Sequence, residues 1–321
     1  MPAGGPPRID ILLATYNGAE HLEALLASIA AQTVTGWHII ARDDGSSDGT
    51  PDMLRDWADR HPGRMTILPA NDRAGGATQA FARLLEASEA PYFAFCDQDD
   101  VWLDDKLARL LDAVQGAEGA SAGATPVLVH MDLRVVDDEL NTLHPSFRRY
   151  MRIAERPISA LWPGLLVYNT VTGCAMLGNA ELRRLSAPIP AGAALHDWWL
   201  ALVAQRFGTM IYLPEPGVLY RQHGGNVVGA ASWSMAAIAY RLITAPGRHI
   251  AKARITLQRT RAQAAAFRDS YRDRLSPQDA ALLDGYATLP GKSWIGRRLF
   301  LLRNGIYGRN ALYTAIILIL V

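Results

Sequence analysis

Three aspartates fall within four positions in Cys96-Asp97-Gln98-Asp99-Asp100, directly after the apolar run Tyr92-Phe93-Ala94-Phe95. Carboxylates this close repel one another unless a cation sits among them. A hard divalent ion such as Mg²⁺ or Mn²⁺, itself gripping a diphosphate, is the natural partner. An acidic turn capping the next helix, expected over Leu103 to Val114, would use the same residue types. A second cluster, Arg42-Asp43-Asp44-Gly45-Ser46-Ser47-Asp48-Gly49-Thr50, begins like a calcium loop, with Asp44, Ser46, Asp48 and Gly49 in ligand order. The twelfth position is Arg55 instead of a bidentate Glu, so calcium is excluded. A carboxylate such as Asp44 at a strand end can instead accept the N3–H of a uracil or thymine ring. A plain turn before a Ser/Asp-capped helix is the competing account.

Two further clusters supply other chemistry. Leu195-His196-Asp197-Trp198-Trp199 opens an expected helix. Asp197 there can act as a general base that takes a proton from an attacking hydroxyl. Trp198 and Trp199 would offer faces on which sugar rings pack, and would desolvate the carboxylate. A helix-capping Asp with two core tryptophans fits the same string. Tyr220-Arg221-Gln222-His223-Gly224-Gly225-Asn226 places a guanidinium and an imidazole in a glycine-bearing loop. Arg221 can steady a departing diphosphate, and His223 can complete the coordination of a metal opposite Asp99.

The elements that must position these groups alternate between short apolar strands and helix-period segments, the pattern of an α/β domain with a mostly parallel sheet. Strands are expected at Ile9–Ala14, Trp37–Ala41, Met65–Leu68, Tyr92–Cys96, Pro126–Met131 and Thr209–Leu213. Helices are expected around Leu22, Leu25, Leu26 and Ile29, around Phe81, Leu84 and Leu85, and over His196–Phe207, with Asn17 and Glu20 as a capping pair for the first. Gly116 to Gly123 reads as a loop. The polar clusters follow strands, where open α/β sheets bind ligands.

Composition narrows the class. The chain has 321 residues, half of them apolar, enough for one large domain and an appended segment. Its two cysteines, Cys96 and Cys174, build neither a disulfide scaffold nor a zinc site. The opening MPAGGPPRID lacks the pattern of a signal peptide, and no run of about 20 apolar residues marks a spanning helix. A cytoplasmic location follows as the expectation. The net charge of +1 hides a division: from Arg241 onward 14 Lys and Arg face 4 Asp and Glu, a charge of +10, whereas the preceding residues hold 18 against 27, or −9. Basic and aromatic residues alternate near the end, where Lys292, Arg297, Arg298, Arg303 and Arg309 intersperse with Trp294, Leu299, Phe300, Leu301 and Leu302. That pattern points to an anionic inner-membrane surface as a partner, held peripherally. A terminal helix docked on the protein's own core is the alternative. No nucleic-acid-binding signature is present.

In order, IDILLATYNGAEHLEALLASIAAQT, IIARDDGSSDGT, CDQDDVWLDDKL, HDWW and YRQHGGN resemble the successive motifs of glycosyltransferase family 2, which has the GT-A fold, across roughly Ile9 to Gly229. The last three are similar to the rhamnosyltransferase-like branch that builds bacterial surface polysaccharides. The resemblance implies that Thr15, Tyr16 and Asn17 line a nucleotide pocket and Asp44 contacts the base. It implies that Asp97 reaches the ribose or the metal's water shell, Asp99 binds the metal, and Asp197 is the base of an inverting transfer. The implied donor is dTDP-L-rhamnose and the implied acceptor a lipid-linked glycan, with a UDP-hexose donor equally compatible with the residues themselves. Gln79-Ala80-Phe81 departs from the Asn-Phe common in the family, and Arg73 stands where a basic contact to the nucleotide would be useful. The chain thus divides into a GT-A domain over 1–232 and a helical, basic, membrane-proximal segment over 233–321. A nucleotidyltransferase lacks its glycine-rich lysine loop here, and Gly285 to Ser293 misses the phosphate-loop spacing by one residue. A binding module without catalysis is the remaining rival.

Overall fold

A computed structural model describes residues 9–69, 75–120, 124–154, 162–222 and 246–321. The chain first alternates strand and helix: β1 (Ile9–Thr15), α1 (Ala19–Ala30), β2 (Trp37–Asp43), α2 (Thr50–Arg60), β3 (Met65–Ile67), α3 (Ala77–Ala87), β4 (Tyr92–Asp97), β5 (Val101–Trp102) and α4 (Lys106–Gly119). There follow β6 (Val127–Val136), β7 (Thr142–His144), the single turn α5 (Phe147–Tyr150), β8 (Met176–Asn179), α6 (Ala180–Ser186), α7 (His196–Phe207) and β9 (Thr209–Arg221). Helices α8 (Pro246–Ser270), α9 (Pro277–Ala287), α10 (Trp294–Arg303) and α11 (Ala311–Leu320) complete the described chain.

The strands form one nine-stranded sheet in the order β3-β2-β1-β4-β8-β6-β9-β5, with β7 pairing off this path against the end of β6 at Val135 and Val136. β3, β2, β1 and β4 run parallel, β8 is antiparallel to β4 and β6, and β9 returns parallel to β6. Burial on both faces explains why β1 and β4 read as continuous apolar runs instead of alternating ones. α1 packs its expected face, with Leu22, Leu25, Leu26 and Ile29 buried. Buried Asp10 accepts from Ser88 Oγ at 2.7 Å and from the amides of Glu89 and Ala90, each at 3.0 Å, which fixes the loop that feeds β4.

Two compact units emerge. One holds Met1–Phe147, Val171–Ile189 and Val203–Gly229, and the other Arg148–Thr170, Pro190–Leu202 and Ala230–Val321. In the second, α8 and α9 are joined by Thr260 Oγ1 and the Tyr286 hydroxyl at 2.7 Å, and Trp162 Nε1 donates to Asp279 at 2.9 Å. Among the described residues no helix is long and apolar enough to cross a membrane.

Three expectations about elements are corrected. α1 begins after Gly18 without a side-chain cap, because Asn17 takes φ 48° and spends its Oδ1 on the Ser47 amide at 2.8 Å. The helix after the acidic cluster starts only at Lys106 and runs to Gly119, so half of the expected Gly116–Gly123 loop is helical. β9 does not stop at Leu213. It continues through Pro214 and Pro216 to Arg221, with the register against β6 shifting around Asp132 where the prolines cannot donate.

Candidate active site

Parallel pairing makes the carboxyl ends of β1, β2 and β4 coincide: Thr15 lies beside Asp43, and Ala14 beside Asp97. Two loops leave this edge, and side chains knit them together. Asp43 accepts from Thr15 Oγ1 at 2.9 Å, from the Gly45 and Ser46 amides at 3.1 and 2.8 Å, and from Ser46 Oγ at 2.5 Å. The Asn17 amide donates to Ser46 Oγ at 2.8 Å, the Gly18 amide to Thr50 Oγ1 at 2.9 Å, and the Ala19 amide to Asp48 at 3.1 Å. Asp48 also receives the Thr50 hydroxyl at 2.6 Å, and that bond foremost holds its carboxyl below the usual range. Amides and a hydroxyl therefore occupy Asp48 where a calcium loop would use the ion, and Asp43, just ahead of that series, is filled in the same way. Asp44 keeps the Thr15 carbonyl through its own amide at 2.8 Å, and its carboxylate stands 3.9 Å from buried Arg42. Thr15 is buried, whereas Tyr16 and Asn17 are exposed at the edge.

The acidic corner is tied to the same edge. Gln98 Oε1 accepts from the Tyr16 amide at 2.7 Å and Gln98 Nε2 donates to the Tyr16 carbonyl at 2.9 Å. From behind, α1 secures the segment that follows: Ser28 Oγ accepts from the Trp102 amide at 3.0 Å, and Gln32 donates to the Leu103 carbonyl at 2.7 Å while accepting from the Leu107 amide at 3.0 Å. Asp97 and Asp99 are half-buried, and Asp100 is only 1% exposed.

Asp97, Asp100 and Cys174 each bring one ligand atom within 4.8 Å of the others, and Asp99 is not one of these three. Among the described residues, neither carboxylate oxygen of Asp100 receives an N–H or O–H donor. Burial, with Asp99 and Asp97 adding repulsion, pushes the Asp100 carboxyl well above its usual range, while the Cys174 thiol and Lys106 favour its charged form. Lys106 is fully buried, donates to the Cys174 carbonyl at 2.6 Å and lies 3.0 Å above the centre of the Trp102 ring. Burial brings its ammonium down to about 8. Burial likewise raises both Cys96 and Cys174 thiols well above the ordinary range, so neither is a ready thiolate. Clustered hard oxygens, the two of buried Asp100 without an N–H or O–H donor among the described residues, fit a divalent cation.

The other expected residues are placed as follows. Asp197 is buried in the first turn of α7, where its Oδ1 accepts from the Trp198 amide at 2.6 Å. Burial drives neighbouring His196 down to about 3, so it is neutral at physiological pH. Trp198 is 6% exposed and donates through Nε1 to the Leu165 carbonyl at 2.6 Å. Trp199 is 1% exposed and packs on Phe267 and Tyr271 with ring centres 5.4 and 5.8 Å away. Both indoles are thus largely enclosed by packing. Arg221 is buried at the end of β9 and donates to the Asp138 carbonyl. The antiparallel pair Val101–Leu219 runs toward the acidic corner on β5 and toward Arg221 on β9. His223 and Arg73 lie outside the described residues.

Sequence reasoning missed Gln98, Asp43, Lys106 and Asp100 as contributors to this edge. Only Asp100 carried a signal, as the third acid of its cluster. Gln98 and Lys106 act through partners 82 and 68 positions away, and Asp43 joins Thr15, 28 positions away, to the adjacent Gly45-Ser46 turn, so no local pattern encodes the whole set.

The fold is that of the GT-A glycosyltransferases. The model of the family "Glycosyl transferase family 2" matches residues 10–170. The chain belongs to that family and is a glycosyltransferase. It is 28% identical over 229 residues to the dTDP-rhamnosyl transferase RfbG of Shigella flexneri, a match that covers 68% of this chain and 74% of that protein. It is 31% identical to the UDP-Glc:alpha-D-GlcNAc-diphosphoundecaprenol beta-1,3-glucosyltransferase WfgD of Escherichia coli, over 31% of this chain and 38% of that one. The crystal structure of S. aureus TarS 1-349 in complex with UDP-GlcNAc shares the fold, with TM-score 0.55 and 14% identity, covering 94% of this chain and 93% of that chain.

Proposed function

We propose that the protein transfers L-rhamnose, with inversion, from dTDP-L-rhamnose to a hydroxyl of a lipid-linked glycan in the synthesis of a cell-surface polysaccharide. The observation that carries this is the common edge: an acidic corner and a loop bearing Asp44 are hydrogen-bonded to one turn, Tyr16-Asn17-Gly18. In this reading Thr15, Tyr16 and Asn17 form the nucleotide pocket, Asp44 receives the N3–H of the base, and Asp97 meets the ribose or a metal-bound water. Asp99 holds the cation, with His223 as a further ligand and Arg221 beside the diphosphate. Asp197 removes the proton from the acceptor hydroxyl as its oxygen attacks the anomeric carbon opposite the leaving group. A divalent ion, when bound, supplies charge to the departing diphosphate. Residues 1–232 would do this work, with 233–321 holding the enzyme at the inner face of the cytoplasmic membrane.

Similarity to the dTDP-rhamnosyl transferase RfbG supports the donor. Similarity to the UDP-glucose-dependent WfgD favours a second reading, a UDP-hexose donor, and also supports a diphosphate-linked lipid acceptor. The test is to incubate purified protein with Mg²⁺ or Mn²⁺ and a panel of dTDP- and UDP-sugars, following nucleotide release and thermal stabilisation. Stabilisation and release are expected with dTDP-rhamnose first. Preference for a UDP-sugar installs the second reading, and no response to any donor overturns both.

A further inference from the structure

Helices α10 and α11 of the second unit present an exposed apolar surface to which the proposed mechanism assigns no residue. α10 exposes Trp294, Ile295, Leu299 and Leu302, with Trp294 67% accessible. At 3.6 residues per turn these four fall within an arc of about 140°. α11 turns Ala311, Ala315 and Ile319 outward, Ile319 being 74% accessible, and its ten residues include no charged side chain. A helix that faces water normally carries its polar residues on that side. Here the outer side is the apolar one.

Arg298 sits inside the α10 arc. Its guanidinium covers the Trp294 ring at 3.8 Å and donates to the Trp294 carbonyl at 2.7 Å and the Ile319 carbonyl at 3.5 Å, which makes one patch of the two helices. Adjoining it, α8 presents Arg254, Gln258 and Arg261 toward Leu289, Arg297 and Leu320 around a cavity of about 310 Å³. The patch and the cavity are contiguous, because Arg297 and Leu320 line the cavity while their chain neighbours Arg298 and Ile319 belong to the patch. Arg297 is held in place by donating to the carbonyls of Lys292 at 2.9 Å and Pro290 at 3.1 Å. After Asp284 the sequence contains five cations and no acid.

We propose that this surface docks on an anionic lipid bilayer, with the apolar patch entering the headgroup boundary and the arginine-lined cavity receiving a headgroup phosphate. The proposal deepens the membrane-side reading above and rests on it. Exposed aromatic and aliphatic side chains beside fixed cations suit an interface that is apolar on one side and negative on the other. A nucleic acid would satisfy the arginines and leave Trp294, Ile295, Leu302 and Ile319 in water.

The test uses the full chain and vesicles of phosphatidylcholine with and without phosphatidylglycerol. Co-sedimentation is expected only with phosphatidylglycerol, and acyl-brominated lipid should quench tryptophan fluorescence in a manner lost in Trp294→Phe. Each of Arg254→Gln and Arg261→Gln should weaken binding about fivefold, and the pair about 25-fold. Trp294→Ser with Ile295→Ser should abolish binding. No binding to anionic vesicles, unchanged binding by the variants, or saturation of the cavity by inorganic phosphate without any vesicle binding would overturn the proposal. So would tighter binding to duplex DNA than to vesicles. Donor binding is measured on the same proteins without vesicles. Intact donor binding with failed docking sinks the membrane-side reading and leaves the donor reading standing, whereas docking without donor binding sinks the donor reading alone.

Discussion

Gln98 holds both polar groups of the Tyr16 peptide edge, accepting its N–H and donating to its C=O at 2.7 and 2.9 Å. The two contacts fasten the acidic corner after β4 to the turn after β1 across 82 positions of sequence. Each such bond contributes about 1 kcal/mol net. Gln98→Ala should therefore lower stability by about 2 kcal/mol and weaken donor binding about tenfold, read by thermal unfolding and calorimetry with a dTDP- or UDP-sugar. Gly18→Ala should act in the same direction, because a Cβ there would run into the Gln98 amide. Unchanged donor affinity in both variants would separate the clasp from the pocket.

Asp197→Asn keeps the size and most of the hydrogen bonding of a residue in the first turn of α7. If Asp197 is the base, kcat should fall by about 10²–10⁴-fold while the donor Kd stays put. Turnover at the parent rate would remove Asp197 from that role.

Chelation tests the acidic corner. Treatment with EDTA should stop nucleotide release, and Mg²⁺ or Mn²⁺ should restore it. Asp99→Asn should raise the cation concentration needed for half-maximal rate by tenfold or more, at least the roughly 10–100-fold that losing an outer-shell partner already costs. Full activity in chelator would rule out the metal reading.

His196 gives the fold an acid limit. Burial lowers its pKa from 6.5 to about 3, so between those values the unfolded chain binds a proton that the native chain refuses. Stability from this group is therefore complete above pH 6.5 and lost as pH falls toward 3, at about 1.4 kcal/mol per pH unit. Urea titrations across that window should show a shallower slope for His196→Gln than for the parent.

Neither the order of the sheet nor the short strands β5, β7 and β8 were expected, whereas the first four strands were legible because buried parallel strands write themselves as apolar runs stopped by polar turns, as at Ile9–Thr15 and Tyr92–Asp97. The length of β9 was not, since Pro214 and Pro216 read as a stop yet sit at register shifts against β6. The Asn17–Glu20 cap failed because a partner 30 positions away, Ser47, competes for the same side chain. Local periodicity likewise gave no reason to expect Trp199 under Phe267 and Tyr271, or Lys106 beneath the acidic corner. Residue type proposed the chemistry, and packing decided which side chains remain open to a ligand.

Lys106 has a practical corollary. The sequence holds three lysines, and this one is sealed between Trp102 and the Cys174 carbonyl, whereas Lys252 is exposed and Lys292 half-exposed. Lysine-directed coupling to a sensor chip or dye should therefore attach through α8 and the segment leading into α10, so that every immobilised molecule leaves its β-strand termini unmodified.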